Sequence, residues 1–361
     1  VGVQSNQFPR AVDLARTLRA EGIQVCIGGF HVSGCLAMLS ELPDDLREDM
    51  DLDISLFAGE AEGQLDGLLQ DAYRGEMKPL YNFMDDLPDL RGVPGPCLSA
   101  RQVQRTAGST TSFDAGRGCP FECSFCTIVN VQGHESRRRS ADDVEKLIRH
   151  NLAQGIRNFF ITDDNFARNA EWEPILDRVI ALREEGLKVK FTIQVDTMSH
   201  KIPRFIEKCG RAGVARAFIG MESINQSDLA GSKKRQNRIT EYRSMLLRWR
   251  EAGVMTLAGY ILGFPSDTPE SIARDIEIIK RELPIDLMEF FVLTPLPGSE
   301  DHQRLKKEGV WMDPDMNKYD TAQITTAHPQ MSPEEWRGAV DRAWKAYYTP
   351  EHIGTVMRRA R

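Results

Sequence analysis

The sequence predicts an α/β protein built on a parallel sheet, and two observations carry that prediction. From residue 111 onward one phrase recurs: an amphipathic helix ending in a small residue and glycine, then a β-rich run, as in "LAQGIRNFFIT", "REEGLKVKFTI", "GRAGVARAFIG" and "REAGVMTLAGYIL". Regular alternation of helix and strand lays the strands parallel, with the helices covering the sheet. In addition, Gly155, Gly186, Gly213 and Gly253 each stand where a helix would close through a residue of positive φ.

Taken in order, residues 1–78 predict a separate α/β piece, the back half of a doubly wound domain. Its elements are strand "VGVQS", helix "FPRAVDLARTLRAEG", strands "IQVCIGG" and "DISLFAGE", and helix "EGQLDGLLQDAYRG". Residues 79–110, with several prolines and "RGVPGPC", read as a linker. The repeating core spans 111–305 and opens on a strand at about 112–117. Ser140 and Asp143 then form a capping-box start, and Val144, Leu147, Ile148 and Leu152 fall on one helix face. Thr268 as cap with Pro269 at the first helical position announces a later helix, and a last strand near 287–293 brings the count to about six β/α units. Residues 306–361 form a helical extension, in which Trp336, Trp344, Tyr347 and Tyr348 are expected to pack. Doubly wound sheet and barrel both remain open, and in either one ligands sit in loops at the C-terminal ends of the strands.

A net charge of −7 over 361 residues gives no general attraction to nucleic acid. The runs "SRRRS" and "SKKRQNR" read as solvated faces. No apolar stretch is long enough to cross a bilayer and no charged-then-apolar leader is visible, so the cytoplasm is the expected compartment. The chain opens on Val1 and not on Met, which sets the expectation of a piece of a longer protein. Seven cysteines, an odd and clustered set in a chain too large to need staples, speak against disulfides. Cys26, Cys35, Cys97 and Cys209 read as buried apolar-type residues.

The other three lie within eight positions in "DAGRGCPFECSFCTIVN", residues 114–130. Cys119, Cys123 and Cys126 follow the first core strand, at the functional end of the sheet. Thiolates this close share a metal. One solution is zinc completed by His134, as in a stabilised non-catalytic scaffold; the other is a cubane iron–sulfur cluster with one iron reserved for a ligand.

Cys-x3-Cys-x2-Cys with an aromatic, Phe125, just before the last cysteine, after the first strand of a β/α repeat, resembles the radical S-adenosylmethionine superfamily. The resemblance implies a partial (β/α)6 TIM-type barrel. It also implies a 4Fe-4S cluster on Cys119, Cys123 and Cys126, with S-adenosylmethionine chelating the fourth iron and Phe125 near the adenine. An electron from the cluster then breaks the sulfur–C5′ bond, and the 5′-deoxyadenosyl radical takes hydrogen from a substrate. "FFITDDNFARN" stands where the family carries a short glycine-and-glutamate motif, so Asp163 or Asp164 is implied to receive the cofactor's ammonium; turn and helix-cap roles are the other reading. "FIGMESINQSDL" is similar to the Gly-x-Glu-Ser segment of Elp3-like and cobalamin-associated branches, which makes Glu222 and Ser223 cofactor candidates. "LAGYILGFPSDTPES" supplies Gly259 and Gly263, beside the adenine in the family, although helix packing accounts for them equally well. "TPLPGSE" resembles a family turn, and Gln194 and Asp196 end the third core strand where substrate or cofactor would lie.

The front piece, "IQVCIGGFHVSG" followed by "DISLFAGEAEGQLDGLL", resembles the second half of the cobalamin-binding domain that precedes the radical core in one large branch. Gly28 and Gly29 would then face a nucleotide tail. The family's Asp-x-His-x-x-Gly signature would belong upstream of Val1, and His31 reads as a surface or loop histidine. The implied activity is cobalamin-assisted methylation, or another C–H functionalisation, of an unidentified small-molecule or lipid-like substrate. A low-potential donor such as flavodoxin or ferredoxin would feed it. RNA methylthiolation is the competing enzymatic reading, and the acidic total and lack of a recognisable RNA-binding module weigh against it.

Overall fold

The computed structural model describes residues 2–106 and 108–359. The chain divides into two compact units interleaved along the sequence. The first comprises Val1–Pro88, Glu122–His134 and Val292–Pro333; the second comprises Asp89–Phe121, Glu135–Phe291 and Glu334–Arg361.

In the first unit, β1 (Cys26–Gly28), β2 (Ser55–Ala58) and β3 (Leu80–Asn82) form a parallel sheet in that order. β3 lies in the stretch read from sequence as linker. The expected first strand is reduced to a bridge between Gly2 and Gly28, with Val3 N–H donating to the Gly28 carbonyl at 2.8 Å; Val1 lies outside the described residues. Helix Phe8–Ala20 starts with Pro9 and buries Phe8, Ala11, Val12 and Ala15 against Ile27, Leu56 and Ala58. Helices Phe30–Met38 and Asp44–Asp51 were not anticipated, because the first is too uniformly apolar and the second too short to show a periodic stripe.

Packing explains the two glycines assigned to a nucleotide tail. A Cβ on Gly28 would lie 2.8 Å from the Phe57 carbonyl oxygen; one on Gly29, at φ +107°, would lie 2.5 Å from Val3 N. Contrary to expectation, His31 is neither a surface nor a loop residue. It is 1% exposed in helix Phe30–Met38, with Nδ1 3.2 Å from Ser5 Oγ, Nε2 3.4 Å from Asp45, and the Phe8 ring 4.3 Å away. Cys35 is buried as expected, whereas Cys26 is only partly so.

The second unit is built on a six-stranded sheet. Chain order in this region runs β4 (Thr110–Phe113), β5 (Gly116–Arg117), β6 (Arg137–Arg138), β7 (Asn158–Ile161), β8 (Lys190–Val195), β9 (Val214–Glu222), β10 (Met255–Leu262) and β11 (Leu287–Val292). β5 and β6 form a small antiparallel pair; the others follow sequence order across the sheet, β4-β7-β8-β9-β10-β11, and pairings from β4 through β10 are parallel. This is the simple β/α succession of a partial barrel, with β4 and β11 at its edges. Gly155, Gly186, Gly213 and Gly253 all take positive φ, and the capping boxes at Ser140–Asp143 and Thr268–Ser271 form. Helices Pro333–Tyr347 and Pro350–Arg359 make the C-terminal extension. Trp336 and Tyr347 are buried there, and Trp344 and Tyr347 meet Phe290 edge-on at 5.2 and 5.9 Å. Cys209 is buried, but Cys97 is exposed, a departure from the expected apolar burial.

Candidate active site

The lead-in to the cysteine stretch is held by two carboxylates. After β4, Asp114 is bound by Arg117 Nε at 2.9 Å and by Arg139, whose Nη2 donates to Oδ1 at 3.1 Å and whose Nε donates to the Asp114 carbonyl at 3.0 Å. Arg139 is 0% exposed and also donates to the Leu90 and Val93 carbonyls. The run "SRRRS" is therefore only partly a solvated face: Arg138 is exposed and Arg139 is buried. Asp163, just past β7, supplies the second hold: its Oδ1 accepts the Ala115 and Gly116 amides, both at 2.7 Å, and its Oδ2 accepts Asn169 Nδ2 at 2.8 Å. Position 116 must be glycine, since a Cβ would fall 2.8 Å from the Arg137 carbonyl and 3.1 Å from Asp163 Oδ2. Gly118 follows at φ +90°, turning the chain into Cys119.

Cys119 and Cys126 are half-buried and Cys123 is buried. The Cys126 amide donates to the Cys123 carbonyl at 3.0 Å, closing a tight main-chain turn from Cys123 to Cys126, and Phe125 within it is half-buried. The neighbouring segment is fixed by the Asp301 amide on the Ser124 carbonyl at 3.0 Å and by Asn130 Nδ2 on the Gly298 carbonyl at 2.9 Å. "TPLPGSE" and the Asp301 that follows it thus brace the cysteine stretch at Ser124 and Asn130. Three cysteines in eight residues are, by their chemistry and spacing, a donor set suited to an iron–sulfur cluster, although among the described residues no three Cys, His, Asp or Glu side chains are gathered closely enough to hold a metal ion. His134, the fourth ligand of the zinc alternative, is exposed.

The two aspartates after β7 separate. Asp163 is 3% exposed with both of its carboxylate oxygens engaged inside the protein. Burial pushes it up to about 7, against the opposing pull of Asn169 and the Gly116 and Ala115 amides. Asp164 is half-buried, takes no hydrogen bond from another described residue, and is pushed up to about 6 by burial, opposed by its own amide. An isolated carboxylate in a partly dry place is held down by a cation. Asp196, ending β8, is consumed differently: Arg168 binds both its oxygens, at 2.7 and 2.8 Å, and Asn165 Nδ2 adds 2.9 Å. The Arg168 guanidinium also lies 5.3 Å from the centre of the Phe121 ring. Gln194 donates to the Asp163 carbonyl at 3.2 Å.

At the end of β9, Glu222 takes φ +65° and is 9% exposed; its Oε1 accepts Lys234 Nζ at 2.6 Å. The buried carboxylate therefore has a protein cation already. Gly220 makes room for the pair, because a Cβ there would lie 2.6 Å from Glu222 Oε1. Lys234 and Asn237 are buried while Arg235 and Arg238 are exposed, so "SKKRQNR" is solvated only in part; Asn237 Nδ2 holds the Gly220 and Met221 carbonyls at 3.0 and 2.7 Å. Ser223 is 3% exposed, with Oγ accepting the Asn225 amide at 2.9 Å. Gly259 sits at the register shift of β10, its missing Cβ 2.8 Å from the Phe218 ring. Gly263, at φ +107°, is where the Trp336 indole packs: a Cβ would fall 2.0 Å from Cζ2. Helix packing thus accounts for Gly263, and strand-face packing for Gly259.

Sequence reading missed Arg139, Arg168, Asn169 and Lys234. Arg139 and Lys234 were hidden because like-charged runs suggest exposure, whereas Arg168 and Asn169 stand in "FFITDDNFARN", where the acids alone drew notice.

The raised carboxylates set a pH dependence. Asp163 and Asp267, each pushed up to about 7 chiefly by burial, bind protons more tightly folded than unfolded, so their contribution is complete at acid pH and is lost as pH rises through about 7. His302, lowered to about 4 by burial, opposes them as pH falls below its ordinary value. The net expectation is a chain more stable at pH 6 than at pH 8 by about 2 kcal/mol, read as a higher thermal midpoint; a midpoint that rises toward pH 8 would refute it.

Comparison with known proteins gives the following. Residues 114–279 match the family model described as Radical SAM superfamily. The bacteriochlorophyllide d C-8(2)-methyltransferase of Chlorobaculum tepidum is 26% identical over 381 residues, covering 98% of this chain and 78% of that protein. The hopanoid C-2 methylase of Rhodopseudomonas palustris is 23% identical over 344 residues, covering 94% of this chain and 62% of that protein. The solved structure of the radical S-adenosylmethionine methyltransferase TsrM from Kitasatospora setae, with cobalamin and its 4Fe-4S cluster bound, superposes with a TM-score of 0.72 at 16% identity, covering 94% of this chain and 75% of that one.

Proposed function

We propose that this chain, whose residues 114–279 match the Radical SAM superfamily model, reductively cleaves S-adenosylmethionine and, with cobalamin, methylates an unactivated carbon of a small-molecule or lipid-like substrate. The observation that carries the reading is the clamped lead-in to three thiols, Cys119, Cys123 and Cys126, inside that core. These three would hold the 4Fe-4S cluster. When bound, the cluster supplies the electron that breaks the sulfonium and so starts the radical reaction. The protein's share is to orient and shield. Asp163 and Asp114 fix the start of the loop, and Asp164, the carboxylate left open, receives the cofactor's ammonium. Arg168 keeps Asp196 and the Phe121 ring in place.

Methylation as the outcome is favoured by two relatives that are methyltransferases by name and by the likeness of fold to TsrM. The chain spans 78% of one relative and 62% of the other, so the activity of the whole protein belongs to this proposal. Cobalamin is favoured by the small parallel sheet of the first unit, and an electron donor of low potential is required by the chemistry. The acidic total weighs against RNA as substrate, and each of the basic runs that suggested it contains a buried cation, Arg139 or Lys234. Among the described residues no helix is long and apolar enough to cross a membrane.

The test is anaerobic reconstitution with iron, sulfide and hydroxocobalamin. About four irons and one corrinoid per chain, with 5′-deoxyadenosine or S-adenosylhomocysteine formed from S-adenosylmethionine on reduction, are expected; a colourless chain holding one zinc would overturn the reading. Asp164→Asn should raise the KM for S-adenosylmethionine about tenfold or more with iron content unchanged, and an unchanged KM would remove Asp164 from the cofactor's contacts.

A further inference from the structure

Helix Leu65–Arg74 of the first unit buries none of its ten residues. Leu68, Asp71 and Ala72 are half-buried and face the body of the unit, where Asp71 accepts the Tyr81 hydroxyl at 2.9 Å. Leu65, Leu69 and Tyr73, by contrast, are 50%, 60% and 94% exposed. A single exposed leucine needs no explanation, but positions i, i+4 and i+8 share one helix face, so these three make a continuous apolar ridge about two turns long. Asp66 stands in the first turn and Arg74 in the last. Each follows a ridge residue by one position, which puts both on the same flank of the ridge. Both are exposed, and neither has an ion-pair partner among the described residues.

The two charges decide what fits this face. A partner surface of one sign would attract one end of the ridge and repel the other. A second copy laid parallel would set Asp66 against Asp66 and Arg74 against Arg74. Laid antiparallel about a two-fold axis at Leu69, a second copy meets every requirement at once. Leu69 then packs on the partner's Leu69, Leu65 on the partner's Tyr73, and Asp66 pairs with the partner's Arg74 twice over. The two helix dipoles also run in opposition. We propose that helix Leu65–Arg74 is the contact between two copies of this chain, an isologous antiparallel helix pair. Two helices this short bury less than the roughly 1,200 Å² of a stable interface. The dimer is accordingly reversible, with a Kd on the order of 10–100 µM. None of these residues has a part in the chemistry proposed above, so failure of the pairing would leave that function untouched.

Sedimentation velocity of the full chain over about 5–500 µM reads the assembly. A shift from monomer to dimer with concentration is expected, and a monomer throughout overturns the proposal. Leu69→Glu sets two carboxylates face to face on the axis and disturbs no buried group; it should raise the Kd about tenfold or more with the circular dichroism of the parent. A dimer that survives this change lies on another face, which also overturns the proposal. Asp66→Arg and Arg74→Asp should each weaken the dimer about threefold or more, by opposing like charges, and the double exchange should restore the parent's Kd because it reverses both pairs. A double exchange no tighter than either single variant overturns the antiparallel pairing. Species larger than the dimer do the same, since they mark unspecific apolar association.

Discussion

Cys123→Ala is expected to abolish both the cluster and the cleavage of S-adenosylmethionine while leaving the fold in place. The side chain is 8% exposed and nearly the size of the alanine that replaces it, and the turn it sits in is closed by main-chain atoms, the Cys126 amide on the Cys123 carbonyl. Removing one sulfur therefore costs about 1 kcal/mol of packing but leaves two thiolates, too few to retain a cubane against loss of iron. Reconstituted iron should fall from about four per chain to below about one, the absorbance near roughly 400 nm should vanish, and cleavage should drop by a factor of about a thousand or more. Circular dichroism should match the parent. His134→Ala is the matched control: His134 is exposed, and its loss should leave iron, colour and turnover unchanged. A Cys123→Ala chain that keeps its colour would contradict the ligand assignment; a His134→Ala chain that loses metal would revive the zinc site.

The cysteines and the repeating core were legible because both are written locally. Three thiols in eight residues need no tertiary context to suggest a shared metal. The four helix-ending glycines carry their reason in their own backbone, each at positive φ. What stayed hidden depends on partners far away in sequence. Gly263 reads equally as a glycine beside a ligand or beside a helix until Trp336, 73 positions later, is seen to fill the space. Glu222 looks like an unpaired acid at a strand end until Lys234 is found 2.6 Å away, and that lysine was disguised by the like charges around it. His31 was misplaced for the same reason, since nothing near it in sequence signals Ser5, Phe8 and Asp45 closing over it. Asp163 and Asp164 are the sharpest case. Adjacent and chemically identical, they part only because one reaches the amides of the strand beside it.

That difference predicts opposite outcomes for the two, and the Asp163 result is the larger in stability. Asp163→Ala removes the acceptor of three buried donors at once, the Ala115 and Gly116 amides and Asn169 Nδ2. Each orphaned donor costs about 1–3 kcal/mol, for a total loss of about 3–5 kcal/mol once some relaxation is allowed. Asp163→Asn should fall between. Its carbonyl can still take the two amides, but its own NH2 then confronts Asn169 Nδ2, and Asn169 cannot flip without giving up the Glu171 amide that its Oδ1 accepts at 2.9 Å. An intermediate cost of about 1–2 kcal/mol follows. Because the released amides lie three and four residues before Cys119, loosening them also frees the first thiol. Below its melting temperature Asp163→Ala should take up iron incompletely, and the clusters it does hold should give broadened electron-paramagnetic-resonance signals. Asp164→Asn, by contrast, should match the parent in urea midpoint and iron content and change only its handling of S-adenosylmethionine. If Asp163→Ala unfolds within about 1 kcal/mol of the parent, or if Asp164→Asn is the variant that loses iron, the two roles are reversed and the hold on Ala115 and Gly116 is not what positions the loop.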